Sequence, residues 1–228
     1  MRASIAKIQS NTFLIIWAKK RLVLERIAEW DRRVISRVYN WHHPLITRFF
    51  QGVSSMGSTV FWGAIGLLCY IPAEFWNWNP LAFPTYQALA QVLILFCHNL
   101  LTAFLVSGLV MLPLKYVVYR PRPFQKYADI SSRDFYVKDP SFPSGHCAQW
   151  VFYGWVASTF LLGQWYLILT VAILPLIMLS RMHLGCHFLS DTIAGAALGV
   201  VLIPLIALCL SAFNTWYTWF FHLIFKGG

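Results

Sequence analysis

Four stretches of this chain contain no Asp, Glu, Lys or Arg: residues 53–73, 87–114, 147–179 and 192–212. Crossing a ~30 Å hydrocarbon core takes roughly 20 apolar residues at 1.5 Å per residue. The first, second and fourth stretches each suit one crossing. The third is too long for one, because a single helix over Cys147–Leu179 would hold its polar ends about 50 Å apart. A hairpin broken near Gly163-Gln164 brings both ends back to one face, with two legs of about 17 residues. The expected fold is therefore all-α: a polytopic transmembrane helical bundle of about five spans. Composition agrees, since 11% of residues are charged against about 25% in a soluble domain.

Three regions follow. Residues 1–52 form a basic amphipathic interfacial segment, 53–212 the membrane core, and 213–228 an aromatic interfacial tail. Phe13 to Ala18 is too short to span and runs into Lys19-Lys20-Arg21. From Ile27 the apolar residues Ile27, Trp30, Val34, Val38 and Trp41 recur at helical spacing, as in a helix lying in the interface. No adequate apolar core precedes a small-residue cleavage site, so a signal peptide is not expected. Adjacent His42 and His43 before Pro44 read as an interfacial turn. The net charge of +10 does not point to nucleic acid. Ten of the 18 Lys and Arg precede position 49 and six lie between Lys115 and Lys138, which suits anionic lipid or a phosphate-bearing substrate. The five cysteines, odd in number and in or beside apolar runs, do not form a disulfide framework.

With this topology every strong polar cluster lies at one mouth of the bundle. Lys115, Arg122 and Arg181 bring three cations together, and such cations need an anion; forked guanidinium groups suit phosphate oxygens. Ser144 and Gly145 open a helix whose first N–H groups form an anion site. Pro123 and Pro143 stiffen the loop ends. His187 and Asp191, four apart, are expected on one helical face, with the carboxylate fixing the imidazole tautomer. His187 is then the candidate nucleophile and His146 the acid/base. Arg120, Lys126 and Arg133 read as membrane anchors or as a general attraction for substrate. His98 reads as a neutral histidine bonded to another helix, and His183 as a neighbour of the site. A zinc site at His183 and His187 lacks a zincin pattern; neither metal nor cofactor is expected.

Together, Lys115-x6-Arg122-Pro123, Pro143-Ser144-Gly145-His146 and Ser180-Arg181-x5-His187-x3-Asp191 resemble the tripartite signature of the type 2 phosphatidic acid phosphatase (PAP2) superfamily over roughly residues 53–212. The resemblance implies a metal-independent lipid phosphatase working through a phosphohistidine. It assigns His187 as nucleophile, Asp191 as its partner and His146 as acid/base. Lys115, Arg122, Ser144, Gly145 and Arg181 would hold the phosphoryl group. Integral members often have six spans, the first of which is here replaced by the basic segment. Expected substrates are phosphatidic acid, phosphatidylglycerol phosphate, a polyprenyl (di)phosphate or lipid A. The alternatives are a lipid phosphotransferase using the same phosphohistidine, a transporter, and a non-catalytic lipid-binding protein. The expected setting is a bacterial inner membrane. The basic amino-terminal segment favours a cytoplasmic mouth, with a periplasmic one as the alternative.

Overall fold

In the computed structural model, which describes residues 2–41, 43–134 and 138–225, the long apolar run is divided at Gly163. One leg is α6, Gly145–Ala157, extended by a π turn over Ser158–Leu162. The other is α7, Gln164–His183. Gly163 has φ 68°, a left-handed backbone that costs glycine little, so the reversal falls where the only local breaker stands. The legs pack together, and the Trp150 indole N–H donates to the Thr170 carbonyl at 2.8 Å.

The remaining helices are α1 (Arg2–Tyr39), α2 (Pro44–Met56), α3 (Thr59–Trp78), α4 (Gln87–Val118), α5 (Pro123–Lys126) and α8 (Leu189–Phe225). By length and composition, four segments of the described residues can cross a membrane: Thr59–Trp78, Pro84–Lys126, Gln164–His183 and Leu189–Trp216. The shorter α6 leg completes the bundle. The first crossing starts later than the uncharged run suggests. Gly57 ends α2, and the Ser58 hydroxyl caps α3 by accepting the Phe61 N–H. His43 caps α2 through Nδ1, which accepts the Leu45 N–H. α8 continues unbroken past residue 212, so residues 213–225 prolong the last crossing helix.

The core lies between α3, α4, α6, α7 and α8, around Trp62, Phe96, Trp150, Phe152, Ile177 and Ile206. α6 and α8 approach closely at small residues. A Cβ on Gly195 would lie 2.3 Å from the Ser144 carbonyl oxygen, and one on Gly199 2.8 Å from that of Ala148. This is the small-residue packing that lets membrane helices meet backbone to backbone. It seats the start of α6 directly against the start of α8.

α1 also packs against the bundle. Among its described side chains Asp31, Ile35, Val38 and Tyr39 are buried, while Ile27 and Trp30 of the interfacial stripe are 40% and 44% exposed. The face turned to the protein lies beside that stripe and shares Val38 with it. A carboxylate turns inward because partners await it there: Asp31 accepts from Arg120 and Ser190.

Candidate active site

Three helix ends deliver the cations. Lys115 closes the last turn of α4, Arg122 caps α5, and Arg181 closes α7. All three are at most 8% exposed. With Asp139, Gly145, His146, Gln149 and His187 they line one cavity of about 380 Å³. The cations are brought together as expected, and His146 and His187 face the same space.

The cations are not bare. Asp139 accepts from Lys115 Nζ at 2.5 Å through Oδ2 and from Arg122 Nη2 at 2.9 Å through Oδ1. Asp134 accepts from Arg181 Nη1 at 2.5 Å. These loop carboxylates sit where the chemistry of the cations calls for an anion. Against the upward push of burial, the hydrogen bond and charge of Lys115, with the charge of Arg122, hold the Asp139 carboxyl below its usual range. Sequence reasoning missed both residues. The available signal was three aspartates set inside an otherwise basic loop.

His187 lies in the loop before α8 and not on the helix, which corrects the expected four-residue helical pairing. Asp191 sits in the first turn of α8, and its Oδ2 reaches back to accept the Phe188 N–H at 2.9 Å. The helix-capping bond, and not a shared helical face, aims this carboxylate at His187. Arg122 Nη1 lies 3.0 Å from His187 Nε2. A guanidinium only donates, so Nε2 accepts and the ring proton is on Nδ1. Nδ1 faces Asp191 Oδ2 at 3.8 Å, longer than a hydrogen bond. Burial, followed by the Arg122, Arg181 and Lys115 charges, pushes His187 well below the ordinary histidine range. Both the lowered proton affinity and the Arg122 contact favour the neutral imidazole, with its lone pair on Nε2 directed at Arg122.

Ser144 begins α6 and is fully buried. Its backbone N–H donates to the Asp191 carbonyl at 3.0 Å, tying the two helix starts together. Gly145 and His146 form the cavity wall. Arg120 is not a simple anchor: its Nη1 donates to Asp191 Oδ1, and its guanidinium stacks 4.3 Å over Phe188. Arg133 stacks 3.7 Å over Tyr39, and Lys126 lies 5.5 Å over Tyr127. His183 is turned away from the cavity, with Nδ1 3.3 Å from the Val38 carbonyl and Nε2 3.1 Å from Thr47 Oγ1. It binds α1 and α2 to α7. His98 lies on α4, its ring 6.3 Å from Tyr70 and 6.0 Å from Phe213.

The model of the PAP2 superfamily matches residues 96–215. That stretch holds all three polar clusters and more than half of the chain. The chain belongs to the PAP2 superfamily. Two solved PAP2-type folds resemble it. A transmembrane PAP2 type phosphatidylglycerolphosphate phosphatase from Bacillus subtilis aligns with TM-score 0.56 at 20% identity, covering 80% of this chain and 85% of its own. LpxE from Aquifex aeolicus aligns with TM-score 0.57 at 20% identity, covering 77% and 93%. No curated protein sequence matches. Four described segments long and apolar enough to cross a bilayer, together with PAP2 superfamily membership, mark this as an integral membrane protein of a phosphatase family. At such identities the two structures establish a common fold, and α1 and α2 lie outside the matched family region.

Proposed function

We propose that this protein hydrolyses a phosphate monoester or diphosphate on a membrane lipid through a phosphohistidine, without a metal ion. One observation carries the reading: His187 lines the same cavity as three buried cations and His146, and its acceptor nitrogen Nε2 is held by one of those cations, Arg122. A phosphoryl group entering there takes over the Lys115, Arg122 and Arg181 donors from the carboxylates, together with the first N–H groups of α6 at Gly145 and His146. Ser144 serves this cradle by fixing that helix end.

Losing Arg122 to the phosphate frees the Nε2 lone pair. Nε2 attacks phosphorus, the bond from phosphorus to the lipid oxygen breaks, and that oxygen receives a proton from His146, which takes it up with the incoming phosphate anion. Asp191 holds the Nδ1–H and balances the charge on the imidazolium. Water then attacks the phosphohistidine and His146 takes its proton. Phosphate leaves and His187 is restored.

The charged cavity shares Thr59 and Phe104 with an apolar cavity of about 580 Å³ between α3 and α4. We assign the acyl or prenyl tail to this second space, with the substrate drawn from phosphatidic acid, phosphatidylglycerol phosphate, polyprenyl (di)phosphates and lipid A. The purified protein should release phosphate from one of these with chelator present, and His187→Ala should not. Equal release by the variant on every lipid would end the proposal. A labelled donor distinguishes hydrolysis from phosphotransfer, which would leave the label on a second lipid. The basic residues before position 49 favour a cytoplasmic mouth. A cysteine placed at the exposed Ser132 should then resist a membrane-impermeant thiol reagent in spheroplasts, and labelling there would reverse the assignment.

A further inference from the structure

Asp31 is a carboxylate of α1, fully buried and outside the 96–215 family region. Its Oδ2 accepts from Arg120 Nη2 at 2.7 Å and from Ser190 Oγ at 2.5 Å, and its Oδ1 accepts the Ser190 N–H at 2.9 Å. Arg120 turns its other nitrogen to Ser190 Oγ at 2.7 Å and to Asp191. One guanidinium is thus divided between two buried carboxylates, and only one of them faces His187. α1 is held in this register by Arg32 with Asp129 at 2.8 Å, and by the Tyr39 hydroxyl with the Ser131 N–H at 3.0 Å.

We propose that Asp31 is a positioning residue for the reaction, acting on His187 through Arg120 and Asp191. The inference rests on the roles assigned above to His187 and Asp191. A partly buried arginine such as Arg120, with a single carboxylate partner, concentrates its charge on that partner. With two, each keeps part of its negative charge unmatched. Asp31 takes its share of Arg120, and so leaves Asp191 negative enough to hold the Nδ1–H and steady the imidazolium. It also pins Ser190, the residue before Asp191, by both backbone and hydroxyl. The amino-terminal helix thereby completes a catalytic constellation that the family region holds only in part. Asp31 bonds to Arg120 and Ser190, and its carboxylate is directed at neither Lys115, Arg122 nor Arg181, so phosphate binding should not need it.

The test uses the full-length protein in detergent, with a water-soluble aryl phosphate as substrate and orthovanadate as a probe of the cradle. Asp31→Asn should lower kcat about tenfold to hundredfold, the range seen when the outer partner of a working group is removed. KM and vanadate inhibition should stay within about twofold. Adding Asp31→Asn to Arg120→Gln should cost no further activity, because the route through Arg120 is already cut. Wild-type kcat in Asp31→Asn would overturn the proposal. So would a parallel loss of vanadate binding, or an additive loss in the double variant, since either indicates general damage. If Asp31→Asn cannot be purified folded, Ser190→Ala decides. A several-fold fall in kcat at unchanged KM supports the route and wild-type kcat refutes it. A wild-type protein inactive on every phosphate ester, or an active His187→Ala, would instead refute the phosphatase reading itself.

Discussion

Asp139 reaches across the cavity mouth to Lys115, its Oδ2 2.5 Å from Nζ, while its other oxygen holds Arg122. A substrate phosphate and this carboxylate compete for the same donors. Hydrogen bonds to charged groups contribute about 1.5–3 kcal/mol. Asp139→Asn should therefore strengthen vanadate inhibition by about tenfold and lower KM in the same direction. Titrating vanadate against both proteins checks this, and unchanged inhibition would show that Asp139 is not a competitor.

The protonation of His187 fixes a pH dependence. Burial and the surrounding cations keep it neutral well below its ordinary value of 6.5, so the attacking form persists under mildly acidic conditions. The acid limb of kcat/KM assigned to this group should lie below pH 6.5. The stability consequence has a definite sign. Below about 6.5 the unfolded chain binds a proton at His187 that the folded chain refuses, so folding stability falls as pH drops from that point. Chemical denaturation at pH 7.5 and 5.5 should show the loss, and His187→Gln should reduce it.

At Gly195 the contact is steric. A methyl group there meets the Ser144 carbonyl oxygen at 2.3 Å, so α6 and α8 must separate. Gly195→Ala should cost about 1–3 kcal/mol, as for other overpacked sites, and lower kcat by displacing Ser144 from Asp191. Gly52→Ala is the control, because its Cβ meets nothing within 4 Å. Thermal unfolding and activity of the two variants provide the comparison.

The tail assignment is tested at Gly63, which lines the apolar cavity and where a Cβ would meet nothing within 4 Å. Gly63→Phe should fill that space. Activity on a long-chain lipid phosphate should fall at least tenfold while hydrolysis of a short aryl phosphate is retained. Equal loss on both substrates would remove the tail from this cavity.

Much of this architecture can be read from the chain because the membrane imposes a simple length rule. The charge-free run at 147–179 is too long for one crossing, and its hairpin at Gly163 follows from that fact. The convergence of Lys115, Arg122, His146, Arg181 and His187 follows in turn from counting crossings. Pairings between polar residues obey no such rule. Asp31 meets Arg120 across 89 positions, and no spacing foretells it. The position of His187 was hidden for a related reason. The capping bond of Asp191 to Phe188 starts α8 two residues after His187, which a four-residue interval alone does not reveal. The contact of α1 with the bundle is hard to foresee because it turns on a charged residue, Asp31, whereas periodicity arguments follow apolar side chains.

The length of α8 has one more consequence. From Asp191 to the exposed Trp216 the helix advances about 38 Å, close to a bilayer measured from one headgroup layer to the other. Tryptophan settles at a membrane–water boundary. With Trp216 at the far boundary, α8 would act as a depth gauge and set Asp191 and His187 near the plane in which lipid phosphates lie. A lipid substrate of the kind proposed above would then arrive by sideways diffusion within its own leaflet, without being lifted out of the membrane.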